Sequence, residues 1–128
     1  MQGSLMPDRL NQVVSSEPSL GTPHAHQYQF ITAGSQVVGF TDYDLAAQLP
    51  VGTKMVWVWG YWNMAGGVGY IYVENSASFP GGLGFNPSAA VQGVVSGLVI
   101  FNGDRKIRII VGAFNATAMN FFISPYWI

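Results

Sequence analysis

The chain has 128 residues, of which 49% are hydrophobic and only 9% are charged, with a formal net charge of −1 and no cysteine. This length suits one domain with a sizeable core. Five Lys and Arg residues cannot form the basic stripe that neutralises phosphates, so we expect no nucleic-acid partner. Without cysteine, the fold is held by packing rather than by disulfides or a thiolate-bound metal.

Residues 1–27 differ in composition from the rest of the chain. They contain three prolines, several Ser and Gln residues, and no sustained hydrophobic periodicity. A basic segment followed by an apolar run is missing, so no secretory signal is predicted. We predict an extended N-terminal arm over residues 1–27 and one domain over residues 28–128. The apolar side chains that could anchor the arm on another protein are Leu5, Met6, Leu10, Val13 and Val14.

From residue 28 onward, short runs rich in aromatic and β-branched residues alternate with turn signals, which is typical of strands. The first two predicted strands cover residues 28–32 and 35–40, and a polar segment follows over residues 41–52. The next two cover residues 54–62 and 68–75. The Gly66-Gly67 pair between them predicts a hairpin turn.

An uncharged loop after residue 75 leads to three more predicted strands, over residues 91–101, 105–114 and 119–128. Turn signals at residues 102–104 and near Asn115 separate them. Residues 109–128 carry no charge, but polar residues and Pro125 interrupt them, which favours a hairpin over a membrane helix. No segment keeps a 3.6-residue apolar period. We therefore predict an all-β, antiparallel, jelly-roll-like sandwich of about eight strands, with no membrane partner.

Residues 55–62, MVWVWGYW, would be apolar on both faces of a strand, because side chains alternate between faces and neither set is polar. One face can meet the facing sheet, but the other needs a second cover. No amphipathic helix is available, and the polar partners that a sugar site requires are few in this stretch. Another copy of the chain fits the low charge. The residues predicted to form this interface between copies are Trp57, Trp59, Tyr61 and Trp62.

Signals for catalysis or metal binding are weak. His24 and His26 have a spacing that places two imidazoles on one strand face, but the chain has no third histidine and no acidic residue between His26 and Asp42. We interpret Asp42 and Asp44 as turn residues that bind nearby backbone amides. No nucleophile elbow is present. We expect no enzymatic activity, no metal and no cofactor.

Two further segments have alternative interpretations. The glycine-rich stretch over residues 79–85 has no following Lys-Ser or Lys-Thr, so it is not a phosphate loop. It is either a crossover loop that caps its own core or a contact loop that docks through Phe79, Leu83 and Phe85. Lys106 and Arg108 share one face of a predicted strand, which is typical of a solvated face. In an oligomer this face could equally meet Glu74 or Asp104 of a neighbouring copy, which would fix register more than it would add affinity.

Residues 41–59, TDYDLAAQLPVGTKMVWVW, resemble a pattern common in small trimeric jelly-roll domains of bacteriophage virions. The pattern consists of a short D-L segment, then L-P-x-G, then an apolar strand, and such domains often end on an aromatic strand, as residues 119–128 would. The resemblance implies a homotrimer in the virion, assembled in the host cytoplasm. Two functions follow from it. One is a capsid decoration or cement protein whose arm binds the major capsid protein or another virion protein; the alternative is a receptor-binding or tail-tip knob that recognises a host-surface glycan.

Overall fold

A computed structural model describes residues 21–76 and 89–128, and within these ranges the chain forms seven strands and no helix. One antiparallel sheet has the order β1-β7-β3-β5, and the other has the order β2-β6-β4. The predicted all-β antiparallel sandwich is therefore confirmed. The strands are β1 (Tyr28–Gln36), β2 (Gly39–Asp44), β3 (Met55–Met64), β4 (Tyr70–Asn75), β5 (Gln92–Ile100), β6 (Lys106–Gly112) and β7 (Ala116–Trp127).

Consecutive strands always lie in different sheets, odd-numbered strands in the larger and even-numbered strands in the smaller. The turn at Gly66 and Gly67 thus carries the chain from one sheet to the other, and so does the turn near Asn115. The hairpins predicted at these two turns are wrong. Turn residues indicate that the chain reverses direction, but they do not determine which strand the next one pairs with. At Gly66 the ring of Phe114 lies so close that an added Cβ would be 2.6 Å from it.

The boundary between β1 and β2 also differs from the prediction. β1 continues through Ala33 and Gly34, where pairing with β7 is irregular and Ala33 has a φ of 46°. The break falls instead at Val37 and Val38, which are both exposed. β2 includes residues 41–44, which were predicted to be a polar connection, because they pair in continuous register with β6.

The core lies between the two sheets and is built mainly from inward-facing residues of β3, β4, β5, β6 and β7, while β2 adds only the half-buried Tyr43. Gly60 contributes space to it, since an added Cβ would lie 2.4 Å from the ring of Phe121, its partner on β7. Full burial of each large apolar side chain contributes about 1.5–3 kcal/mol. The side chains at most 2% exposed include Val56, Val58, Trp62, Ile71, Val73, Ile107, Ile109, Val111, Met119, Phe121 and Ile123.

Several predicted contact residues lie outside the described residues. These are the arm anchors Leu5, Met6, Leu10, Val13 and Val14 and the loop residues Phe79, Leu83 and Phe85. Within the described ranges, the chain forms no helix that is long and apolar enough to cross a membrane.

Candidate functional site

The larger sheet turns one side toward the core, and we call its other side the outer face. β3 lies between β5 and β7, so its outward side chains pair with residues of both neighbours. Alternation along β3 places Met55, Trp57, Trp59, Tyr61 and Asn63 on the outer face. Their partners there are Ile100, Leu98, Ser96, Val94 and Gln92 on β5, and Trp127, Phe122, Asn120 and Thr117 on β7.

The four strands of the larger sheet contain no charged residue. All charged residues within the seven strands belong to the smaller sheet, namely Asp42, Asp44, Glu74, Lys106 and Arg108. The outer face can therefore meet another uncharged surface without desolvating an ion.

The outer face is aromatic near its centre. The rings of Trp59 and Phe122 stack with their centroids 4.0 Å apart and their planes 13° from parallel. Trp57 keeps 37% of its surface exposed, and Tyr61 keeps 45%. Three of the four residues predicted for an interface thus lie together on the outer face. The fourth, Trp62, is 2% exposed and belongs to the core, because alternation turns it inward.

An open groove of about 660 Å³ lies at the end of the outer face where β3 finishes. Asn63 pairs with Gln92 on β5, while Tyr61 pairs with Val94 on β5 and Asn120 on β7. Side chains from three strands therefore converge here. We call this site the amide groove, and its lining residues are Tyr61, Trp62, Asn63, Gln92, Gly93, Val94, Ala118 and Asn120.

Asn120 is held in a fixed orientation. Its Oδ1 accepts hydrogen bonds from Nε2 of Gln29 and from the backbone N–H of Ala33, both at 3.0 Å. Its Nδ2 donates to the carbonyl oxygen of Ala118 at 3.3 Å. Ala33 and Ala118 both have positive φ, at 46° and 48°, and both lie where the strand pairing of β7 is irregular. These irregularities shape this end of the groove.

The side-chain amides of Asn63 and Gln92 form no hydrogen bond with any residue in the ranges 21–76 and 89–128; Asn63 accepts only at its backbone oxygen, from Thr117. Each carboxamide offers two N–H donors and one acceptor oxygen. The groove thus presents unpaired donors and acceptors beside an exposed aromatic ring.

The outer side of the smaller sheet has a different character. Asp42 accepts two hydrogen bonds from Arg108, at 2.8 and 3.0 Å, and the same guanidinium lies 4.0 Å from the ring centroid of Phe40. The hydrogen bond from Arg108 lowers the pKa of the Asp42 carboxyl below its ordinary value of 3.8. Asp44 has the local role predicted for it, since its Oδ1 accepts from the backbone N–H of Ala46. Asp42 instead lies within β2 and pairs across strands.

His24 and His26 both contact Tyr126. The imidazole of His24 stacks on that ring at 5.0 Å between centroids, and the imidazole of His26 meets it edge-on at 5.8 Å. His24 also pairs with Tyr126 through two backbone hydrogen bonds. In the part of the chain that the structure describes, no three His, Cys, Asp or Glu residues group together as metal ligands would.

Sequence reasoning missed three residues of the amide groove, Asn63, Gln92 and Asn120. They come from three different strands, and no short motif joins them. Alternation along β3 could have placed Asn63 beside Tyr61, but the other two amides depend on which strands flank β3 and in what register.

In comparisons with known proteins, no family model matches the chain, and no curated protein matches it. Its function is therefore inferred from the outer face and the amide groove.

Proposed function

We propose that this protein is a structural virion protein, a capsid decoration or cement protein that forms a homotrimer through the outer face of its larger sheet. The observation that carries the self-association is a sheet face without any charge on which Trp57 is 37% exposed and Ile100 is also 37% exposed. Interfaces between permanently associated subunits are depleted of charge and enriched in aromatic residues at their centre.

The size of the outer face limits how much of an interface it can supply. Four strands spaced about 4.8 Å apart and about 33 Å long give a projected area on the order of 600 Å². A standard protein interface takes about 800 Å² from each partner. A second copy that covered the apolar end of the face, around Trp57, Leu98 and Ile100, would bury roughly 300 Å² of this projected area, about half of the face. A full interface of that class would therefore also use residues beside the sheet.

The connectivity of the strands supports the jelly-roll part of the proposal. β7 lies between β1 and β3, and β6 lies between β2 and β4, so neighbours in each sheet are not consecutive in sequence. Such an order is typical of Greek-key connections, of which a jelly roll contains two.

The arm supplies the proposed attachment to the capsid. Twenty residues could extend to roughly 70 Å, enough to cross a neighbouring subunit. Ordering them costs on the order of 1 kcal/mol or more per residue, so the contact must bury the apolar anchors Leu5, Met6, Leu10, Val13 and Val14.

The test is co-sedimentation with undecorated capsid shells of the virus, using the intact chain and a variant that lacks residues 1–20. The intact chain should co-sediment, whereas the truncated chain should remain a trimer by light scattering and stay in the supernatant. Equal binding by both chains would show that residues 1–20 are not needed for attachment to the capsid. The receptor-binding alternative would instead be favoured by two results together. Neither the intact nor the truncated chain would bind capsids, and substitution of Phe79 or Phe85 would abolish adsorption to host cells.

A further inference from the structure

The outer face has two chemically distinct ends. At the Met55 end, the outward residues are apolar, whereas at the Asn63 end the amide groove brings three carboxamides around Tyr61. We propose that the amide groove binds a neutral oligosaccharide, with Tyr61 as the stacking platform and Asn63, Gln92 and Asn120 as hydrogen-bonding groups. This activity is separate from self-association through the apolar end.

Tyr61 has the geometry that a sugar platform needs. It is 45% exposed, so its ring is accessible in the folded chain. A sugar ring has an apolar face of C–H groups, and an aromatic face offers it a large, rigid contact area with little loss of side-chain entropy. Val94, 71% exposed on the neighbouring strand, extends the apolar floor of the groove.

The carboxamides match the edge of a sugar ring. Each hydroxyl of a sugar can donate and accept, and so can each carboxamide as a whole. Asn63 and Gln92 lie opposite each other on β3 and β5, about 5 Å apart at Cβ, and their side-chain amides form no hydrogen bond with any described residue. Asn120 is already oriented by Gln29 and the backbone of Ala33, so little ordering is needed when it binds.

The absence of charged residues on the strands of the groove favours a neutral ligand over an acidic one. Recognition of a carboxylate, sulfate or phosphate group normally uses Arg or Lys, or a cluster of backbone N–H groups at a helix N-terminus. The strands that form the groove carry no charged residue, and the described residues form no helix. An acidic sugar would lose its hydration without gaining a counter-charge.

The groove is also a poor site for an apolar partner surface. Covering Asn63 and Gln92 with apolar groups would bury donors and acceptors without partners, which is unfavourable. A polyhydroxylated ligand satisfies them instead. The volume of about 660 Å³ lies within the range of small-molecule sites, and the open shape allows a chain of sugars to continue beyond it.

The test is a microarray of neutral gluco-, galacto- and manno-oligosaccharides with sialylated oligosaccharides as the acidic comparison, followed by calorimetric titration of the intact chain with the neutral sugar that binds best. Tyr61→Ala should weaken that binding about tenfold, through lost stacking and buried area. Asn63→Ala and Gln92→Ala should each weaken it about fivefold, the effect of one lost hydrogen bond.

Tyr72→Ala is the matched control, because Tyr72 is a 39% exposed tyrosine on the smaller sheet, and its loss should leave the affinity unchanged. The Trp57→Asp variant separates this site from self-association, since a dissociated chain should still bind the sugar. Three results would overturn the proposal. They are no binding to any neutral oligosaccharide at millimolar concentration, binding of sialylated sugars alone, and binding that Tyr61→Ala does not weaken.

Discussion

The outer sides of the two sheets carry similar numbers of exposed aromatic rings but differ in whether charged residues lie beside those rings. On the smaller sheet, Tyr70 and Tyr72 are 38% and 39% exposed and contact each other edge-on, while Arg108 lies over the ring of Phe40. On the larger sheet, Trp57 and Tyr61 are exposed to a similar degree without a charged residue on any strand.

Exposed aromatic residues thus occur on both sheets, and the charged residues are what distinguish the two outer sides. Charged side chains keep the smaller sheet hydrated, and the guanidinium of Arg108 covers aromatic surface while its own charge stays paired with Asp42. Only the larger sheet offers apolar area that can be buried without desolvating an ion. The proposed self-association is therefore expected at the larger sheet.

The largest effect is expected from a substitution of Trp57, on the outer face of the larger sheet. A Trp57→Asp substitution places an unpaired carboxylate in the proposed interface of every copy, at a cost of several kcal/mol each. Light scattering should give about three times 13.8 kDa for the unmodified chain and 13.8 kDa for the variant.

The matched control is Tyr72→Asp, which puts the same charge on the smaller sheet at a similarly exposed aromatic residue. The mass of this variant by light scattering should remain that of the trimer. A chain that is monomeric without any substitution would refute self-association, and dissociation by Tyr72→Asp but not by Trp57→Asp would move the interface to the smaller sheet.

The next largest effect is a loss of stability expected at Trp62, which lies on the inward side of β3. Trp62→Ala removes a core side chain that stacks beside Phe121 at 6.3 Å between ring centroids, and it should lower the free energy of unfolding by about 3–5 kcal/mol. Urea unfolding in the Trp57→Asp background measures this without linkage to dissociation.

Tyr72→Ala in the same background serves as the reference, and it should change stability by only about 0.5 kcal/mol, as is usual for surface positions. Equal losses in the two variants would mean that Trp62 is not part of a tightly packed core.

The smallest effect concerns the ion pair on the smaller sheet. Asp42→Asn removes the charge partner of Arg108, and because the pair lies at the surface with both side chains partly exposed, the expected loss at pH 7 is about 0.2–1 kcal/mol. Since Arg108 lowers the pKa of Asp42 in the folded chain, the stabilisation is complete above pH 3.8 and is lost as the pH falls through the depressed folded value.

The measurement is the difference in unfolding free energy between the unmodified chain and Asp42→Asn, taken at pH 7 and at steps below pH 3.8. The difference should shrink toward zero as the pH falls. A difference that grows under acidic conditions would contradict the assigned direction of the pKa change.

The fold class was predictable because strand-forming composition and turn residues are local properties. Runs such as residues 55–62 exclude a helix by their β-branched and aromatic content, and alternation alone separates Val58 and Trp62 from Trp57 and Tyr61. Alternation also shows that both faces of β3 are apolar. It does not show which face lies inward, so Trp62 was grouped with residues on the opposite side of the strand.

Strand partners were decided only by the tertiary structure, because pairing depends on contacts between residues far apart in the chain. The turn at Gly66 and Gly67 predicted a hairpin, yet β3 pairs with β5 and β7, and β4 lies in the other sheet. The amide groove depends on the same pairing. Asn63, Gln92 and Asn120 meet through register across three strands, which no local property of the sequence specifies.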